Sequence, residues 1–266
     1  MKFYKVFTTL ALGAATLTSA YANQKLVVAA TPVPHAEILE FVKPILAKQG
    51  IDLEVKVFTD YVLPNRAVST GEADANFYQH QPYLDAYNQQ YKTDIIGGFK
   101  VHIEPFGIYS TKYKSLNDIP RGATFVLPND PSNEGRALLV LQSAGLIKLK
   151  DPTKLLSTER DIAENPNRYK FLPVEAANIP RVYKSADFGL INANYALTSG
   201  LSPSKDALYI EHSGPYANFI AYRKVNENDP RIKALENALN SKEVYDFILT
   251  KYNGGVIPVF KPEGVN

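Results

Sequence analysis

Two short segments of the sequence concentrate side chains that can bind a small molecule. The first is DANFYQHQPYLDAYN, residues 74–88, which mixes four aromatic rings with one histidine and several amides. The second is PNDPSNEGRALLVLQ, residues 128–142, which places Arg136 in the first turn of a predicted helix. Flat apolar surface beside polar ends is typical of a ligand pocket. The composition of the first segment is equally compatible with a metal site or with an ordinary half-buried element.

Arg136 is the side chain best suited to binding an anion. A cation at a helix N-terminus opposes the helix dipole at a cost of about 0.3–1 kcal/mol, and a bound carboxylate would reverse that penalty. Arginine can offer a carboxylate two parallel hydrogen bonds, and free backbone amides add donors. Ser132 or Asn133 can cap the helix, and Gly135 would let a ligand approach the backbone. A surface arginine paired with an acidic neighbour in sequence is an equally good interpretation.

Other polar and aromatic candidates follow predicted strands. In parallel α/β sheets, ligands bind beyond the carboxyl ends of the strands. The residues that the sequence places at such ends, or near the two points where the chain crosses between lobes, are Tyr61, Tyr78, His80, His102, Asn192, Asn194 and Asn218. Asparagine offers both a donor and an acceptor, although a turn role is the simpler interpretation of Asn192 alone. With Arg136, these residues predict a pocket for a zwitterionic small molecule with an apolar side chain.

The common catalytic and metal motifs are absent from the sequence. The chain has no cysteine, which excludes disulfides, thiolate nucleophiles and cysteine metal sites. Its four histidines lack the short spacing of zinc motifs and have no acidic cluster beside them. There is no GxSxG elbow, and Gly97-Gly98 and Gly254-Gly255 are interpreted as turns rather than phosphate-binding loops. We therefore expect no catalytic residue, no metal and no cofactor.

The elements that must position these residues alternate between strand and helix. Apolar runs and alternating patterns predict strands, and apolar residues at helical spacing predict helices. Strands are predicted at 26–30, 53–57, 74–77, 106–109, 124–127, 171–174, 188–191 and 216–222, and helices at 38–46, 65–69, from 82, 133–144, 179–184, 232–239 and 244–252. This order favours an α/β fold of two lobes, each a mixed, mostly parallel sheet flanked by helices. Tyr83 and Tyr87, four apart on one helix, are expected to pack inward.

Residues 1–22 have the features of a cleavable signal peptide. Lys2 and Lys5 precede an uncharged run from Val6 to Leu17, and the Ala20–Ala22 triplet suits signal peptidase. An uncleaved anchor helix is less favoured because the apolar run is short for a bilayer. Removing these two lysines from the 29 basic residues leaves a count equal to the 27 acidic ones, with no basic block for nucleic acid.

Six stretches of the exported chain together carry a family resemblance. They are TPVPHAEILE (31–40), FTDYVLPNRAV (58–68), DANFYQHQPYL (74–84), PNDPSNEGRALLVLQ (128–142), LINANYA (190–196) and PYANFIAYR (215–223). In this order they resemble the NlpA lipoprotein family, the substrate-binding proteins of methionine-type ABC importers. The resemblance implies a type II-like periplasmic binding protein whose lobes close on a ligand. We expect residues 23–108 and 218–266 to form lobe 1, and residues 109–217 to form lobe 2.

The resemblance also implies a ligand and the residues that bind it. The ligand would be an amino acid, usually methionine, with a methionine-containing dipeptide or another apolar amino acid as the alternative. By position, Arg136 would bind the carboxylate, while Asn192 and Asn218 would hold the α-amino and carboxylate groups. The residues that would line the pocket are Tyr61, Tyr78, which packs on the ligand side chain, His80 and His102. The partners would be the permease and ATPase subunits of an inner-membrane ABC importer.

The chain departs from the resemblance at one point. Family members usually carry a lipidated cysteine after the signal peptide, and this chain has no cysteine. We therefore expect a freely diffusing periplasmic protein without a lipid anchor, exported after cleavage at Ala22. Two functions of other classes are alternatives, a secreted periplasmic hydrolase and a surface adhesin.

Overall fold

Two separate β-sheets organise the chain. The computed structural model describes residues 24–212 and 214–264, and the predicted signal peptide lies outside them. The strands are β1 (Gln24–Ala30), β2 (Ile51–Val57), β3 (Ala75–His80), β4 (Ile95–Ile103), β5 (Gly107–Tyr109), β6 (Thr124–Pro128), β7 (Lys148–Leu149), β8 (Ile162–Glu164), β9 (Lys170–Val174), β10 (Phe188–Ile191), β11 (Tyr209–Ile210), β12 (Ala217–Arg223) and β13 (Ile257–Pro258). The α-helices are α1 (Glu37–Ala47), α2 (Leu63–Thr70), α3 (Gln81–Tyr91), α4 (Pro131–Ser143), α5 (Ile179–Val182), α6 (Ala193–Thr198), α7 (Pro203–Asp206), α8 (Pro230–Leu239) and α9 (Lys242–Tyr252).

Both of these large sheets are mixed, and β7 and β8 pair in a separate, two-stranded antiparallel sheet. The first has the order β13-β4-β12-β3-β1-β2 and the second the order β11-β5-β10-β6-β9. β1 pairs in parallel with β2 and β3, and β6 pairs in parallel with β9 and β10. β12 and β5 run antiparallel to their neighbours. The prediction of a two-lobed α/β fold is confirmed. More strand pairs are antiparallel than predicted, because β5 and β12 begin at the edge of the sheet where their neighbours end.

The chain passes between the sheets twice. It crosses from β4 to β5 through residues 104–106, and from β11 to β12 between Ile210 and Ala217. The first sheet, called lobe 1 below with its helices, is thus built from both ends of the described chain, and the second, lobe 2, from the middle. The expected limits at 108/109 and 217/218 fall inside β5 and β12 respectively. A local apolar pattern shows that a strand exists but not which sheet it joins.

Each lobe has its own hydrophobic core. Lobe 1 packs α1, α8 and α9 against its sheet through residues such as Leu39, Leu235 and Ile248, all fully buried. Lobe 2 packs α4 against its sheet through Leu138 and Phe125. Each core therefore supports its own set of strand ends at the cleft. None of the helices within residues 24–212 and 214–264 combines the length and apolar character that crossing a bilayer requires.

β4 is the one long strand that the sequence pattern did not predict. Gly97-Gly98 lies within it, so the turn interpretation of this pair is wrong, whereas Gly254-Gly255 does lie in a turn. A Cβ added to Gly97 would come within 3.1 Å of the Phe219 ring, and one on Gly98 within 2.5 Å of the Tyr222 ring. These glycines leave room for two aromatic rings of β12, at a place where the β4–β12 pairing is irregular.

Candidate functional site

A small, partly enclosed cavity lies between the lobes where the strands end. β3 of lobe 1 and β10 of lobe 2 both end at it, and α4 begins beside it. Its lining residues are Tyr61, Tyr78, Gln79, His80, Tyr83 and Asn218 from lobe 1, Asn133, Arg136, Asn192, Ala193 and Asn194 from lobe 2, and Glu104 from the first crossing.

Most of the predicted site residues meet at this cavity. Tyr61, Tyr78, His80, Arg136, Asn192 and Asn218 all line it. His102 does not, because it is fully buried one layer below, where its ring contacts Glu104. Their roles toward a ligand stay predictions. Tyr83 packs inward as expected, with 8% of its surface exposed, but it also reaches the cavity wall.

Arg136 is buried and already bound to a carboxylate of the protein. Its Nε lies 3.0 Å from Glu211 Oε1, and its Nη2 donates to Glu211 Oε2 at 2.5 Å and to Glu104 O at 2.9 Å. The guanidinium also lies 4.1 Å from the ring centre of Tyr216. The interpretation of Arg136 as a surface residue paired with a neighbour in sequence is therefore wrong, because only 2% of it is exposed and its partner lies across the fold.

The same contacts limit what Arg136 can offer a ligand. Its two-nitrogen edge, Nε and Nη2, is occupied by Glu211, so the expected two-bond fork to a ligand is not available. None of the described residues accepts a hydrogen bond from the remaining nitrogen, Nη1. Because Arg136 lines the cavity, Nη1 is the atom through which it can bind a ligand carboxylate.

Two expectations about the start of α4 need correction. Asp130, rather than Ser132 or Asn133, caps the helix, since its carboxylate accepts the Asn133 N–H at 3.0 Å. Gly135 does not serve a ligand, because a Cβ there would lie 2.0 Å from Leu155 O. The glycine instead lets the chain near Leu155 pass close against the helix. Sequence spacing alone could not distinguish a close ligand from a close loop.

An amide network connects the capping residue to the cavity. The Asn133 Nδ2 donates to both Asp130 oxygens, at 2.9 and 3.0 Å. The Asn133 Oδ1 accepts from Asn192 Nδ2 at 2.9 Å and faces His80 Nε2 at 3.3 Å. Asn133 thus joins side chains of both lobes. Sequence reasoning treated Asn133 only as a helix cap, although its place beyond the end of β6 was the signal for a site role.

His80 is a neutral hydrogen-bonding residue. Burial and the nearby charge of Arg136 lower the pKa of His80 to about 3. Its Nδ1 accepts the backbone N–H of Tyr83 at 3.3 Å, which caps α3 and leaves the single ring proton on Nε2. His80 therefore acts as a donor toward Asn133.

Three polar atoms at the cavity have no hydrogen-bond partner among the described residues. They are Asn192 Oδ1, Asn194 Nδ2 and the Tyr78 hydroxyl. A buried polar group without a partner costs about 1–3 kcal/mol, and most such groups in proteins are satisfied. An acceptor and a donor on neighbouring residues, beside an arginine, match a ligand that carries both an N–H donor and an oxygen acceptor.

A buried acid–histidine cluster lies beneath the cavity. Glu104 Oε1 is 2.8 Å from His102 Nε2 and 3.1 Å from His35 Nε2. His35 also contacts Asn218 Oδ1 at 3.1 Å and Thr31 Oγ1 at 2.8 Å. Burial opposes ionisation of Glu104, but the charge of His35 and the hydrogen bonds from both imidazoles outweigh it and hold the carboxyl pKa well below its usual range. The sequence predicts no acidic cluster beside the histidines, and the fold brings a single carboxylate, that of Glu104, between two of them.

The cluster also has the donor set of a metal site, because the ligand-type atoms of His35, His102 and Glu104 all lie within 4.8 Å of one another. However, both imidazole nitrogens are at hydrogen-bond distance from the same carboxylate oxygen, so the carboxylate is satisfied without an ion. The contact with Asn218 makes the cluster a support for the cavity floor. Sequence spacing missed it because the two histidines lie on different elements of lobe 1.

Direct hydrogen bonds connect the lobes beside the cavity. The Tyr61 hydroxyl donates to Asn194 Oδ1 at 2.6 Å, and the Tyr195 hydroxyl donates to Thr59 O at 3.0 Å. The Tyr61 ring centre also lies 4.9 Å from that of Tyr195. The structure therefore shows the lobes in contact, with the cavity between them.

Comparison with known proteins agrees with this geometry. Residues 26–260 match the family described as NlpA lipoprotein. The methionine-binding lipoprotein MetQ of Bacillus subtilis (strain 168) is 44% identical over 245 residues, which is 89% of this chain and 89% of that protein. The D-methionine-binding lipoprotein MetQ of Escherichia coli (strain K12) is 43% identical over 215 residues, 79% of each chain.

Solved structures show the same likeness. A nutrient-binding protein from Burkholderia cenocepacia, in a structure bound to methionine, superimposes with a TM-score of 0.86 at 43% identity. That likeness covers 88% of this chain and 100% of the other. The lipoprotein Tp32 of Treponema pallidum also gives a TM-score of 0.86, at 37% identity, over 89% of this chain and all of that one.

Proposed function

The chain belongs to the NlpA lipoprotein family, and on that premise we propose that it captures methionine between its lobes and delivers it to an ABC importer. The cavity carries the proposal, because it places an unpartnered acceptor, an unpartnered donor and an arginine next to a wall of tyrosines. Support comes from the similar Burkholderia cenocepacia protein, whose structure is bound to methionine.

The polar half of the cavity suits the two charged groups of an amino acid. The ligand carboxylate would accept hydrogen bonds from Arg136 Nη1 and Asn194 Nδ2. The ammonium would donate to Asn192 Oδ1, which otherwise lacks a partner. Asn218 can add its Nδ2, which is held only by a long 3.4 Å contact with Tyr216 O. These contacts come from both lobes, so the ligand would stabilise the closed arrangement through its differential affinity for it.

The apolar half of the cavity suits the ligand side chain. Tyr61, Tyr78 and Tyr83 form a continuous aromatic wall, with ring centres 5.7 and 5.8 Å apart. A thioether makes favourable contacts with aromatic rings. We propose Tyr78 as the residue that packs on the side chain.

The proposal extends to the cellular setting. Substrate-binding proteins of this family are not enzymes, which leaves the hydrolase alternative without support. The partners would be a permease and its ATPase in the inner membrane. The protein would be exported by residues 1–22 and, lacking a cysteine, would work without a lipid anchor.

Ligand screening tests the proposal directly. The exported chain is heated with each amino acid and with methionine-containing dipeptides, and the ligands that raise its melting temperature are then titrated by calorimetry. A ligand that binds only the folded state stabilises it by about 2.7 kcal/mol at 100 times its Kd. We expect methionine to give the largest shift. Failure of all amino acids and dipeptides would overturn the proposal, and a shift with dipeptides alone would replace methionine as the ligand.

A further inference from the structure

A relay of three polar side chains runs from the start of α4 to the cavity. It consists of the Asp130 carboxylate, the Asn133 amide and the Asn192 amide, and we call it the Asp130 relay. Asn133 and Asn192 are 1% and 6% exposed. Asparagine can present either its oxygen or its nitrogen to a ligand, so the recognition depends on which way round the Asn192 amide is held.

We propose that Asp130 is a positioning residue that turns the Asn192 oxygen toward the ligand and so restricts the cavity to ligands with a free amino group. The inference rests on the proposed function and deepens it. Asp130 itself does not line the cavity and acts only through Asn133.

The relay begins at the Asp130 carboxylate, which can only accept hydrogen bonds. Asp130 receives hydrogen bonds from the Asn133 N–H, from Ser132 Oγ at 3.1 Å, and from Asn133 Nδ2 on both of its oxygens. With four donated bonds, this carboxylate leaves no orientation for the Asn133 amide other than nitrogen inward. The Asn133 oxygen must therefore point away from Asp130.

The second step passes that direction to Asn192. The Asn133 Oδ1 only accepts, so Asn192 must meet it with Nδ2, at 2.9 Å. The Asn192 oxygen is then the amide atom left without a partner among the residues described, on a residue that lines the cavity. His80 supports the same orientation from the other lobe, since its Nε2 carries the ring proton and faces the same Asn133 oxygen at 3.3 Å.

The orientation of the Asn192 amide therefore selects between ligands with and without a free amino group. An acceptor at Asn192 binds an N–H donor such as the ammonium of a free amino acid or of a peptide N-terminus. A keto acid offers a carbonyl oxygen at that point and would face another oxygen, and a deaminated acid offers no N–H donor there. The relay would thus reject such analogues even though they keep the carboxylate and side chain.

The test reverses the relay and then restores it. Asp130→Asn keeps a good helix cap but places an amide nitrogen against Asn133 Nδ2, which favours a reversed Asn133 and a misdirected Asn192. Asn192→Asp supplies a group that can use a reversed Asn133, since its carboxylate accepts from Nδ2 and still accepts the ligand ammonium. L-methionine is titrated into the wild-type chain, both single variants and the double variant.

We expect the effect of Asp130→Asn to change sign with the background. In the wild-type chain it weakens methionine binding by about 10- to 100-fold, the value of a hydrogen bond to a charged group. In the Asn192→Asp background the same change strengthens binding. Equal losses in both backgrounds, or no loss in the wild-type chain, would overturn the relay.

Controls separate the relay from folding and from the proposed function. Asp229→Asn is the control, because the Asp229 carboxylate also caps a helix, α8 in lobe 1, where it accepts the Arg231 N–H, and it does not line the cavity. It should leave methionine affinity unchanged. Asp130→Ser, a second capping variant, should lose affinity like Asp130→Asn, and equal affinity in it would count against the relay. Absence of methionine binding by the wild-type chain would contradict the proposed function instead.

Discussion

The two faces of the cleft differ in what holds their side chains in place. On lobe 2, Arg136 is held by the carboxylate of Glu211 and Asn133 by that of Asp130, so their hydrogen-bonding directions are determined by charge. On lobe 1, Tyr61 and Tyr78 are held mainly by packing against other rings. Charged partners specify direction, whereas ring packing specifies shape. We infer that lobe 2 determines the class of ligand and lobe 1 discriminates between side chains.

Arg136 also connects this chemistry to the movement of the lobes. It contacts the first crossing through Glu104 O and the second through Glu211 and Tyr216. Lobe closure requires both crossings to adjust, because they are the only covalent links between the two sheets in the described chain. A ligand bound to Arg136 would therefore touch a residue that contacts both crossings.

The largest effect should come from breaking the charged face. Arg136→Ala removes the proposed carboxylate contact and leaves Glu211 buried without its partner, and such truncations cost about 2–5 kcal/mol. We expect calorimetry to show methionine affinity lower by about 30-fold or more, together with a lower melting temperature.

A second substitution separates binding from stability. Glu211→Gln added to Arg136→Ala removes the stranded charge and should recover much of the melting temperature. Methionine affinity should stay low. If the double variant binds methionine like the wild-type chain, the ligand carboxylate does not lie at Arg136, and the charged face has only a structural role.

Much of the cleft could be predicted because its residues follow strand ends. The apolar runs before Tyr78 and Asn192 are short and buried, and the alternation of strand and helix points their carboxyl ends to one edge. The apolar spacing that follows Arg136 places it near the start of α4, but the helix begins at Pro131, two residues before the predicted start, so Arg136 lies in its second turn and not its first. These are local patterns, and local patterns survive in the folded structure when tertiary packing agrees with them.

The partners of those residues could not be predicted. Glu211 lies 75 residues from Arg136, and no periodicity relates them. The buried cluster of His35, His102 and Glu104 depends on the order β4-β12-β3-β1, in which a strand from the far end of the chain is inserted. Strand order is a property of the whole fold. β4 was missed for a similar reason, because its glycines make sense only against the rings of β12.

We expect His80, on lobe 1, to make the free energy of unfolding fall as the pH is lowered. Burial and the charge of Arg136 lower the pKa of His80 to about 3, against an ordinary value of 6.5 in the unfolded chain. As pH falls, the unfolded chain binds the proton first, so this contribution is complete above pH 6.5 and is lost progressively down to about pH 3. Between pH 6.5 and 5, one such histidine lowers the free energy of unfolding by about 2 kcal/mol.

His80→Asn tests that contribution because asparagine can still cap α3. Urea unfolding gives the free energy of unfolding at pH 7 and at pH 5. The decrease between the two pH values should be about 2 kcal/mol smaller in this variant than in the wild-type chain. His212→Asn is the control, since His212 is exposed at the second crossing and should not change the loss. An equal loss in His80→Asn would mean that the acid response lies elsewhere.

The aromatic face should discriminate between ligand side chains. Tyr78→Ala removes the wall against which the methionine side chain would pack, at about 0.8 kcal/mol for each methylene-sized group that loses contact. We expect methionine binding to weaken about tenfold more than alanine binding, because any loss of packing inside the lobe affects both ligands equally. Arg136→Ala, by contrast, should weaken both ligands by the same factor. A common factor for both ligands in Tyr78→Ala would mean that lobe 1 does not read the side chain.

The smallest effect should come from the contact between the two faces. Tyr61→Phe removes only the hydroxyl that donates to Asn194 Oδ1 at 2.6 Å, a bond between lobes worth about 0.5–1.5 kcal/mol. Because the bond exists only when the lobes meet, methionine affinity should fall by about two- to tenfold. Tyr252→Phe is the matched control, since its hydroxyl donates to Glu37 within lobe 1, and it should lower the melting temperature without changing affinity. Equal affinities in the two variants would mean that closure gains nothing from this bond and that the faces act through the ligand alone.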